Sequence, residues 1–332
     1  MTERELAEVG IHRIPIPIPF PQAGGPVNVY AVEEGDGRLL LVDAGYGSGE
    51  ATAALAQGFH ARGRRFDEVS RLLVTHGHVD HYGGGRFVEE RSGGVLRALA
   101  HPADIPKIAE EGWHWSEVAP HYGAHLSRLG APAQVLAVIA EEAERAFRAE
   151  RLRAVEPVLP GERLKARHLD LEVLHMPGHT PGLLCLYDHR HRVLISGDHL
   201  LERISPNPLI ELGPDGQDGF FRPLVAYLDS LARTRALEVD LVLPGHGPPF
   251  GEHRRVIDTL DLFYQRRQER FLSCLSAGPL TPYEMATALF RQLRPGDVFL
   301  VLSEVVANLE VLEARGLVER ELDGRLRRYR RR

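Results

Sequence analysis

The sequence predicts a mixed α/β protein with a strand-rich first part and a helical last part. Up to about residue 252, short apolar runs end at glycine or proline and alternate with stretches of helical periodicity. After residue 253, three helical patterns follow one another and end in two alternating runs. A chain of 332 residues can form one large domain with a smaller one. We expect a domain over residues 1–252 and a second over residues 253–332, with the boundary near Phe250–Arg255.

The N-terminal segments predict a sheet that begins with an edge strand. The first run, "IHRIPIPIPF", alternates, and its prolines confine it to an edge. "VNVYAVEE" and "RLLLVDAG" flank "GDG", which is typical of a hairpin. "GSGEATAALAQGFHARG" predicts a helix with a serine near its start. Two further strands are predicted in "SRLLVT" and "GVLRALAHP".

A helical insertion is predicted over about residues 103–153. Its apolar residues recur with helical spacing, and prolines interrupt the pattern at Pro106, Pro120 and Pro132. The insertion is interpreted either as helices packed on the strand-rich part or as a lid over a substrate site. Strands then return in "DLEVLHM", "LLCLYD", "RVLISGD" and "VDLVLPG", with a helix in "GFFRPLVAYLDSLART".

Residues 253–332 have the outline of a winged helix. A long amphipathic helix in "RVIDTLDLFYQRRQERFLSCLS" comes first. The second helix is expected to be capped by Thr281, with Pro282 at its first position. The third is expected to begin at Ser303 and to end before Gly316. The last residues, "LVERELDGRLRRYRRR", predict a hairpin that turns at "DG".

Composition and charge limit the class of protein. Hydrophobic residues make up 43% and charged residues 26%, and no apolar stretch approaches a membrane span. Two cysteines cannot form a disulfide framework, and we read no secretory signal, which favours a cytoplasmic location. Residues 1–252 carry 25 basic and 35 acidic residues, whereas residues 253–332 carry 15 and 11. This asymmetry indicates two units with different surfaces.

A cluster of metal-binding side chains follows one of the predicted strands. The segment "THGHVDH" contains His76, His78, Asp80 and His81 directly after "SRLLV". Spacing by two after a strand lets neighbouring side chains point in different directions. The cluster can therefore supply ligands to two metals, and further ligands should follow elsewhere in the chain.

Three later segments have a matching form, in which an apolar strand is followed by a glycine and then by a ligand. "VLHMPGHTPG" offers His179, "VLISGDHL" offers Asp198, and "LVLPGHGPP" offers His246. Such ligands stand at the carboxyl ends of strands, where sites in α/β proteins gather. Imidazole and carboxylate suit zinc, and they also accept iron or manganese.

This arrangement resembles the metallo-β-lactamase superfamily over roughly residues 11–250. "THGHVDH" is similar to the HxHxDH motif of the family, and the three later loops are similar to its other ligand loops. The resemblance implies an αββα sandwich that holds two divalent metal ions, with zinc as the default. It implies that His76, His78 and His179 hold the first metal, that Asp80, His81 and His246 hold the second, and that Asp198 bridges both. No cysteine occupies a ligand position, so the site is more similar to glyoxalase II and ribonuclease Z than to cysteine-containing lactamases.

The resemblance also implies a hydrolytic mechanism. Two cations that share a water would lower its pKa from 15.7 towards ~7, and the bridging hydroxide would attack the substrate. Asp80 is the predicted catalytic residue, because its carboxylate can orient the hydroxide or pass a proton to the leaving group. Tyr82 and His199 are candidate substrate contacts, with packing or hydrogen bonding as the alternative interpretation.

Three functions remain open at this point. The acidic first part favours hydrolysis of a small ester, thioester or lactone, because a phosphate polymer would be repelled. The winged helix and the terminal arginines favour an endoribonuclease or phosphodiesterase that holds RNA, although nucleic-acid binding would require a larger basic face. A metal-containing regulator is the third interpretation. Residues 253–332 would also suit a homodimer contact, and no membrane partner is expected.

Overall fold

A computed structural model describes residues 3–19, 24–146, 149–213, 216–217, 219–290 and 293–332. Contacts between Cα atoms divide the chain into two compact units. The first, here called the sheet unit, contains residues 1–112, 149–206 and 233–256. The second, here called the helical unit, contains residues 113–148, 207–232 and 257–332. The expected domain boundary near Phe250–Arg255 stays a prediction.

Six strands form the first sheet of the sheet unit, in the order of the chain. They are β1 (Ile11–Ile16), β2 (Val27–Glu33), β3 (Leu39–Val42), β4 (Val69–Leu73), β5 (Arg97–Ala100) and β6 (Glu156–Pro157). The first two connections are antiparallel and the last three are parallel. β1 is at the edge, as its prolines predict, because proline has no N–H to donate to a second neighbour.

Five strands form the second sheet. They are β7 (Arg163–Lys165), β8 (Asp170–His175), β9 (Leu184–Asp188), β10 (Val193–Gly197) and β11 (Leu241–Pro244). Their order across the sheet is β11, β10, β9, β8, β7. Only the β10–β11 pair of this sheet is parallel, and both strands therefore end at the same edge.

The two sheets share one apolar core. Tyr30 and Leu73 of the first sheet belong to the same buried cluster as Val173 and Ile195 of the second. The opposite face of the first sheet is covered by helices. Leu55 and Phe59 lie in that second core together with residues from β1, β2 and β3. Alternate strand residues thus point to two different cores, which the period-two pattern of side chains explains.

The helices of the sheet unit are short except for one. They are α1 (Glu3–Glu8), α2 (Gly49–His60), α3 (Val79–Tyr82), α4 (Gly85–Arg91) and α5 (Ile105–Ile108). α2 confirms the helix predicted after "RLLLVDAG". Its N-cap is Ser48, whose hydroxyl accepts a hydrogen bond from the N–H of Ala51.

The helical unit contains α6 (Trp115–Arg128), α7 (Ala133–Ala146), α10 (Pro282–Leu289) and α11 (Val298–Ala314). Two more helices, α8 (Pro223–Arg235) and α9 (His253–Cys274), run across the division of the chain into units. Leu126 of α6 and Ile139 of α7 lie in one buried cluster with Phe271 and Leu302. The inserted helices therefore share a core with the C-terminal helices. A lid role for the insertion stays a prediction.

The C-terminal elements follow the predicted order, with one error in a helix start. Thr281 caps α10 through a capping box with Glu284, as predicted. The prediction that Ser303 caps the next helix is wrong, because α11 already begins at Val298. Ser303 lies buried in mid-helix, where its hydroxyl accepts a hydrogen bond from the N–H of Ile210. Gly316 has a positive φ of 70° just beyond the helix end, as expected.

A two-stranded sheet ends the chain. It pairs β12 (Val318–Asp323) with β13 (Leu326–Arg331) in antiparallel register. The hairpin confirms the prediction from "DG", but the name winged helix for this region stays a prediction. Within the part of the chain that the structure describes, no helix is both long and apolar enough to cross a membrane.

Candidate metal centre

The seven predicted ligands come together in the sheet unit. Each follows a strand. β4 leads to His76 and His78 in a loop and then to Asp80 and His81 in α3, whereas β8, β10 and β11 lead into loops that carry the other three. Backbone hydrogen bonds join these loops. The N–H of Gly245 donates to the carbonyl of Gly197 at 2.8 Å, and the N–H of Leu184 donates to the carbonyl of Thr75 at 2.8 Å.

The ligands form three overlapping groups, and within each group the ligand atoms lie within 4.8 Å of one another. The groups are His76, His78 and His179; His76, His81 and Asp198; and Asp80, His81 and His246. In the first group the ring centroids of His78 and His179 are 4.4 Å apart. In the last group Nε2 of His246 lies 3.4 Å from Oδ2 of Asp80. The three groups contain all seven predicted ligands, whereas their individual roles stay predictions.

Asp198 occupies the middle of this cluster. Its Oδ2 lies 3.5 Å from Nε2 of His179 and 3.5 Å from Nε2 of His246. Its Oδ1 lies 3.5 Å from Nε2 of His81. One carboxylate therefore reaches ligands from the first and from the last group.

A glycine allows this close approach. A Cβ atom at Gly245 would lie 2.2 Å from Oδ1 of Asp198 and 3.0 Å from Cε1 of His81. Any side chain at this position would therefore push the carboxylate or its loop away. This glycine precedes His246 in "LVLPGHGPP", and a residue without a side chain permits such a close approach.

Burial and charge set the protonation of the cluster. Burial, with the neighbouring His81 and His78, lowers the pKa of His76 well below 6.5. Burial opposes ionisation of Asp198, but His246 and His81 overcome this effect and hold the pKa of Asp198 well below 3.8. Burial likewise opposes a charged His81, yet Asp198 and Asp43 raise the pKa of His81 well above 6.5. Cation binding at His81 should therefore release a proton.

The chemistry of these side chains fits divalent metal ions. Imidazole nitrogens and carboxylate oxygens are the donors that zinc, iron and manganese accept. Nε2 of His78 and Oδ1 of Asp198 are buried, and neither makes a hydrogen bond with another residue that the structure describes. Buried polar atoms normally have partners, so such atoms indicate a group that is bound there.

Asp43 is a residue of this site that the sequence interpretation missed. It follows β3, and its carboxylate accepts hydrogen bonds from the N–H of Thr75 at 2.7 Å and from the Thr75 hydroxyl at 2.9 Å. Nδ1 of His81 lies 2.7 Å from Oδ2 of Asp43. The only sequence signal was an aspartate at the end of a strand, in "LLLVDAG".

The two candidate substrate contacts are both buried. Tyr82 is 2% exposed, and burial raises the pKa of its hydroxyl despite a hydrogen bond with Arg151. His199 has no exposed surface, and its Nε2 lies 2.7 Å from the Thr234 hydroxyl. These contacts agree with the packing interpretation, and substrate contact by either residue stays a prediction that its burial does not favour.

Comparisons with known proteins agree with the geometry. Residues 23–246 match the family model of the metallo-beta-lactamase superfamily. The "Probable metallo-hydrolase YqjP" of Bacillus subtilis is 30% identical over 91% of this chain and 92% of its own length. The "Acyl-coenzyme A thioesterase MBLAC2" of Gallus gallus is 28% identical over 71% of this chain and 77% of its own length.

A solved structure extends the similarity to nearly the whole chain. The metallo-beta-lactamase family protein TTHA1429 of Thermus thermophilus superimposes with a TM-score of 0.81 at 29% identity. The match covers 97% of this chain and 99% of that one. The predicted fold class is confirmed, and the His and Asp clusters are compatible with metal binding. The chain belongs to the metallo-beta-lactamase superfamily, a superfamily of metallo-hydrolases.

Proposed function

We propose that this protein is a binuclear metallo-hydrolase that cleaves a small thioester, ester or lactone. The position of Asp198 carries the proposal, because its Oδ2 is 3.5 Å from a nitrogen of His179 and 3.5 Å from a nitrogen of His246. A carboxylate placed in this way can bind two cations at once. His76, His78 and His179 would hold one, and Asp80, His81 and His246 would hold the other.

The bound cations would polarise the carbonyl of the substrate and lower the pKa of water. The chain itself would orient the reactants and move protons. His81 and His246 hold the pKa of Asp80 below 3.8, although burial opposes its ionisation. An ionised Asp80 can accept a proton from water and return it to the leaving group. Its side chain is 13% exposed, so this exchange can take place at the surface of the cluster.

A thioester is the substrate class to examine first. The relative from Gallus gallus has a name that states acyl-coenzyme A thioesterase activity. It is similar to 71% of the length of this chain. A small-molecule substrate also agrees with the acidic excess of residues 1–252. Zinc is the default metal, with iron and manganese as alternatives. A homodimer and a cytoplasmic location stay predictions.

The test combines metal analysis with a set of substrates. We expect purified protein supplied with zinc to bind close to two equivalents. It should hydrolyse an acyl-coenzyme A, a lactone or 4-nitrophenyl acetate faster than bis(4-nitrophenyl) phosphate. Protein without bound metal under any supply would overturn the proposal. Cleavage of the phosphodiester alone would favour the nuclease alternative.

A variant of Asp198 tests the bridging role. Asp198→Ala should reduce kcat about a hundredfold or more, because the charges of the two cations would lose their shared partner. Asp188→Ala is the control, since Asp188 is also a buried carboxylate but lies beside the start of β10, whereas Asp198 follows the end of that strand. Circular dichroism should be unchanged in the first variant. Unaltered turnover in Asp198→Ala would refute the bridging role.

A further inference from the structure

Asp104 connects two loops of the candidate metal centre through a fully buried carboxylate. Its Oδ2 accepts hydrogen bonds from the N–H of Gly77 at 2.9 Å and from the Thr180 hydroxyl at 2.7 Å. Its Oδ1 accepts a hydrogen bond from the N–H of Gly182 at 3.1 Å. Three donors from two distant segments of the chain thus meet on one side chain.

These donors lie next to the ligands of the first proposed metal. Gly77 stands between His76 and His78, and Thr180 follows His179 directly. We propose that Asp104 is a positioning residue, which holds the loop after β4 and the loop after β8 in the register that the first metal requires. The inference rests on the proposed function, since it concerns the ligand set assigned there.

The local structure gives Asp104 no other task. It is the N-cap residue of α5, where an aspartate side chain commonly accepts a hydrogen bond from its own helix. Here the side chain makes no such bond, and α5 is only four residues long. All three hydrogen bonds of its carboxylate to described residues go to the ligand loops instead.

The donors require a carboxylate and not an amide. The N–H groups of Gly77 and Gly182 approach different oxygens of Asp104, and both can only donate. An asparagine has one acceptor oxygen, so its amino group would face the other N–H without a hydrogen bond. Either the N–H of Gly77 or the N–H of Gly182 would then lose its hydrogen bond, whichever way the amide is turned.

The space around Asp104 is equally restricted. A Cβ atom at Gly182 would lie 2.7 Å from Cγ of Asp104 and 2.9 Å from its backbone nitrogen. Gly182→Ala should therefore displace the carboxylate without changing its charge. This provides a second variant that tests the same contact from the opposite side.

Asp188 provides a matched control. It is 2% exposed, and one of its oxygens accepts hydrogen bonds from the N–H and the ring of His191. Its other oxygen accepts a hydrogen bond from the N–H of Asp170. Asp188 therefore also receives three hydrogen bonds on two oxygens, but none of them comes from a ligand loop. Asp188→Asn should disturb folding as Asp104→Asn does, without an effect on metal affinity.

The experiment measures zinc affinity by chelator competition on metal-free, full-length protein. It is performed in the His246→Ala background, which keeps the ligands of the first metal, and in the His78→Ala background, which keeps those of the second. Asp104→Asn and Gly182→Ala should each weaken zinc binding about 10- to 100-fold in the first background. The change in the second background should be less than about threefold. The absorption bands of bound cobalt should shift in the first background alone.

Three results distinguish the inference from the proposed function. Equal zinc affinity in Asp104→Asn and Asp188→Asn, with both close to that of the parent protein, would overturn the positioning role. An equal loss in these two variants would assign Asp104 a structural role only. If Asp104→Asn does not fold, Gly182→Ala decides by the same criteria. A parent protein that binds no zinc would instead overturn the proposed function.

Discussion

His81 and Asp43 are joined by a 2.7 Å contact between Nδ1 and Oδ2. The aspartate is itself fixed, because the N–H and hydroxyl of Thr75 donate to its two oxygens. It also has a positive φ of 62°, which a non-glycine residue adopts only when its surroundings hold it there. A ring that donates from Nδ1 presents its Nε2 to Asp198, which lies 3.5 Å away. Asp43 therefore sets which nitrogen of His81 faces the proposed metals.

Asp43→Asn should weaken the second proposed metal more than the first. The amide keeps the size of the side chain but has one acceptor oxygen, so it cannot accept from both the N–H of Thr75 and Nδ1 of His81. Either the aspartate loop or the ring of His81 is then held less firmly. We expect the affinity of the second zinc to fall about 10- to 100-fold. The free energy of unfolding of the metal-free protein should fall by about 1–3 kcal/mol. Isothermal titration of both equivalents, compared with Asp188→Asn, measures the effect. Equal weakening of both metals would contradict the expectation.

Single ligand variants should remove the two metals separately. His246 contacts Asp80 and Asp198, whereas His78 contacts His76 and His179. After dialysis against a weak chelator, His246→Ala should retain close to one equivalent of metal. That metal should be lost when His78 is replaced as well. His78→Ala should retain one equivalent that depends on His246. The double variant should bind none. Loss of both metals in each single variant would indicate a centre that binds its cations only as a pair.

The sequence was sufficient for the parts of the fold that depend on local patterns. The prolines of β1 predict an edge strand, and Thr281 with Glu284 predicts a capping box; both are found. The start of α11 was misplaced because "VFLVL" before Ser303 is a continuous apolar run. Such a run does not separate a buried helix from a strand, so the first serine after it was taken as the cap.

The ligands could be predicted from the sequence, whereas the carboxylates that hold the ligand loops could not. The seven predicted ligands could be found because each follows an apolar strand, and four of them directly follow a glycine. Asp104 has no such signal, and Asp43 shares only its place after a strand. Their partners lie 27 to 78 positions away along the chain, and only the packed loops bring them together. A supporting carboxylate of this kind is therefore recognised from its hydrogen bonds and not from its sequence.

His125 should make the helical unit less stable as the pH falls. Burial, assisted by Arg327 and Arg128, lowers the pKa of His125 to about 4. In the unfolded chain the pKa returns to 6.5. Between these values the unfolded chain binds a proton that the native state does not, so stability decreases from about pH 6.5 towards about pH 4. The loss from this group has an upper limit of about 3 kcal/mol.

His125→Gln should remove that part of the pH dependence. The glutamine does not titrate, so the difference in unfolding free energy between pH 7.5 and pH 4.5 should be smaller in the variant. Urea unfolding at several pH values, followed by fluorescence, measures this difference. His60→Gln is the control, because His60 is exposed. A variant that loses as much stability as the parent protein would show that His125 does not contribute.

The terminal arginines should not hold RNA. Three of them already have carboxylate partners within the helical unit. Arg328 lies 2.9 Å from Glu284, Arg332 lies 3.2 Å from Glu319, and Arg330 forms ion pairs with Glu319 and Glu321. Arginines paired in this way release few counterions from RNA, so they contribute little to binding. We therefore expect weak RNA binding with little dependence on salt.

The measurement compares binding of a structured RNA at about 50 and 200 mM salt. One variant replaces Arg328, Arg330, Arg331 and Arg332 with glutamine and keeps Arg327, which is 6% exposed. The control replaces four paired and exposed arginines of the sheet unit, namely Arg38, Arg65, Arg97 and Arg192. If the tail bound RNA through four phosphate contacts, affinity would fall about a hundredfold over this range of salt, and only the first variant would abolish it. That result, together with metal-dependent cleavage, would favour the nuclease. Weak binding in all three proteins, with ester hydrolysis intact, would agree with a small-molecule substrate.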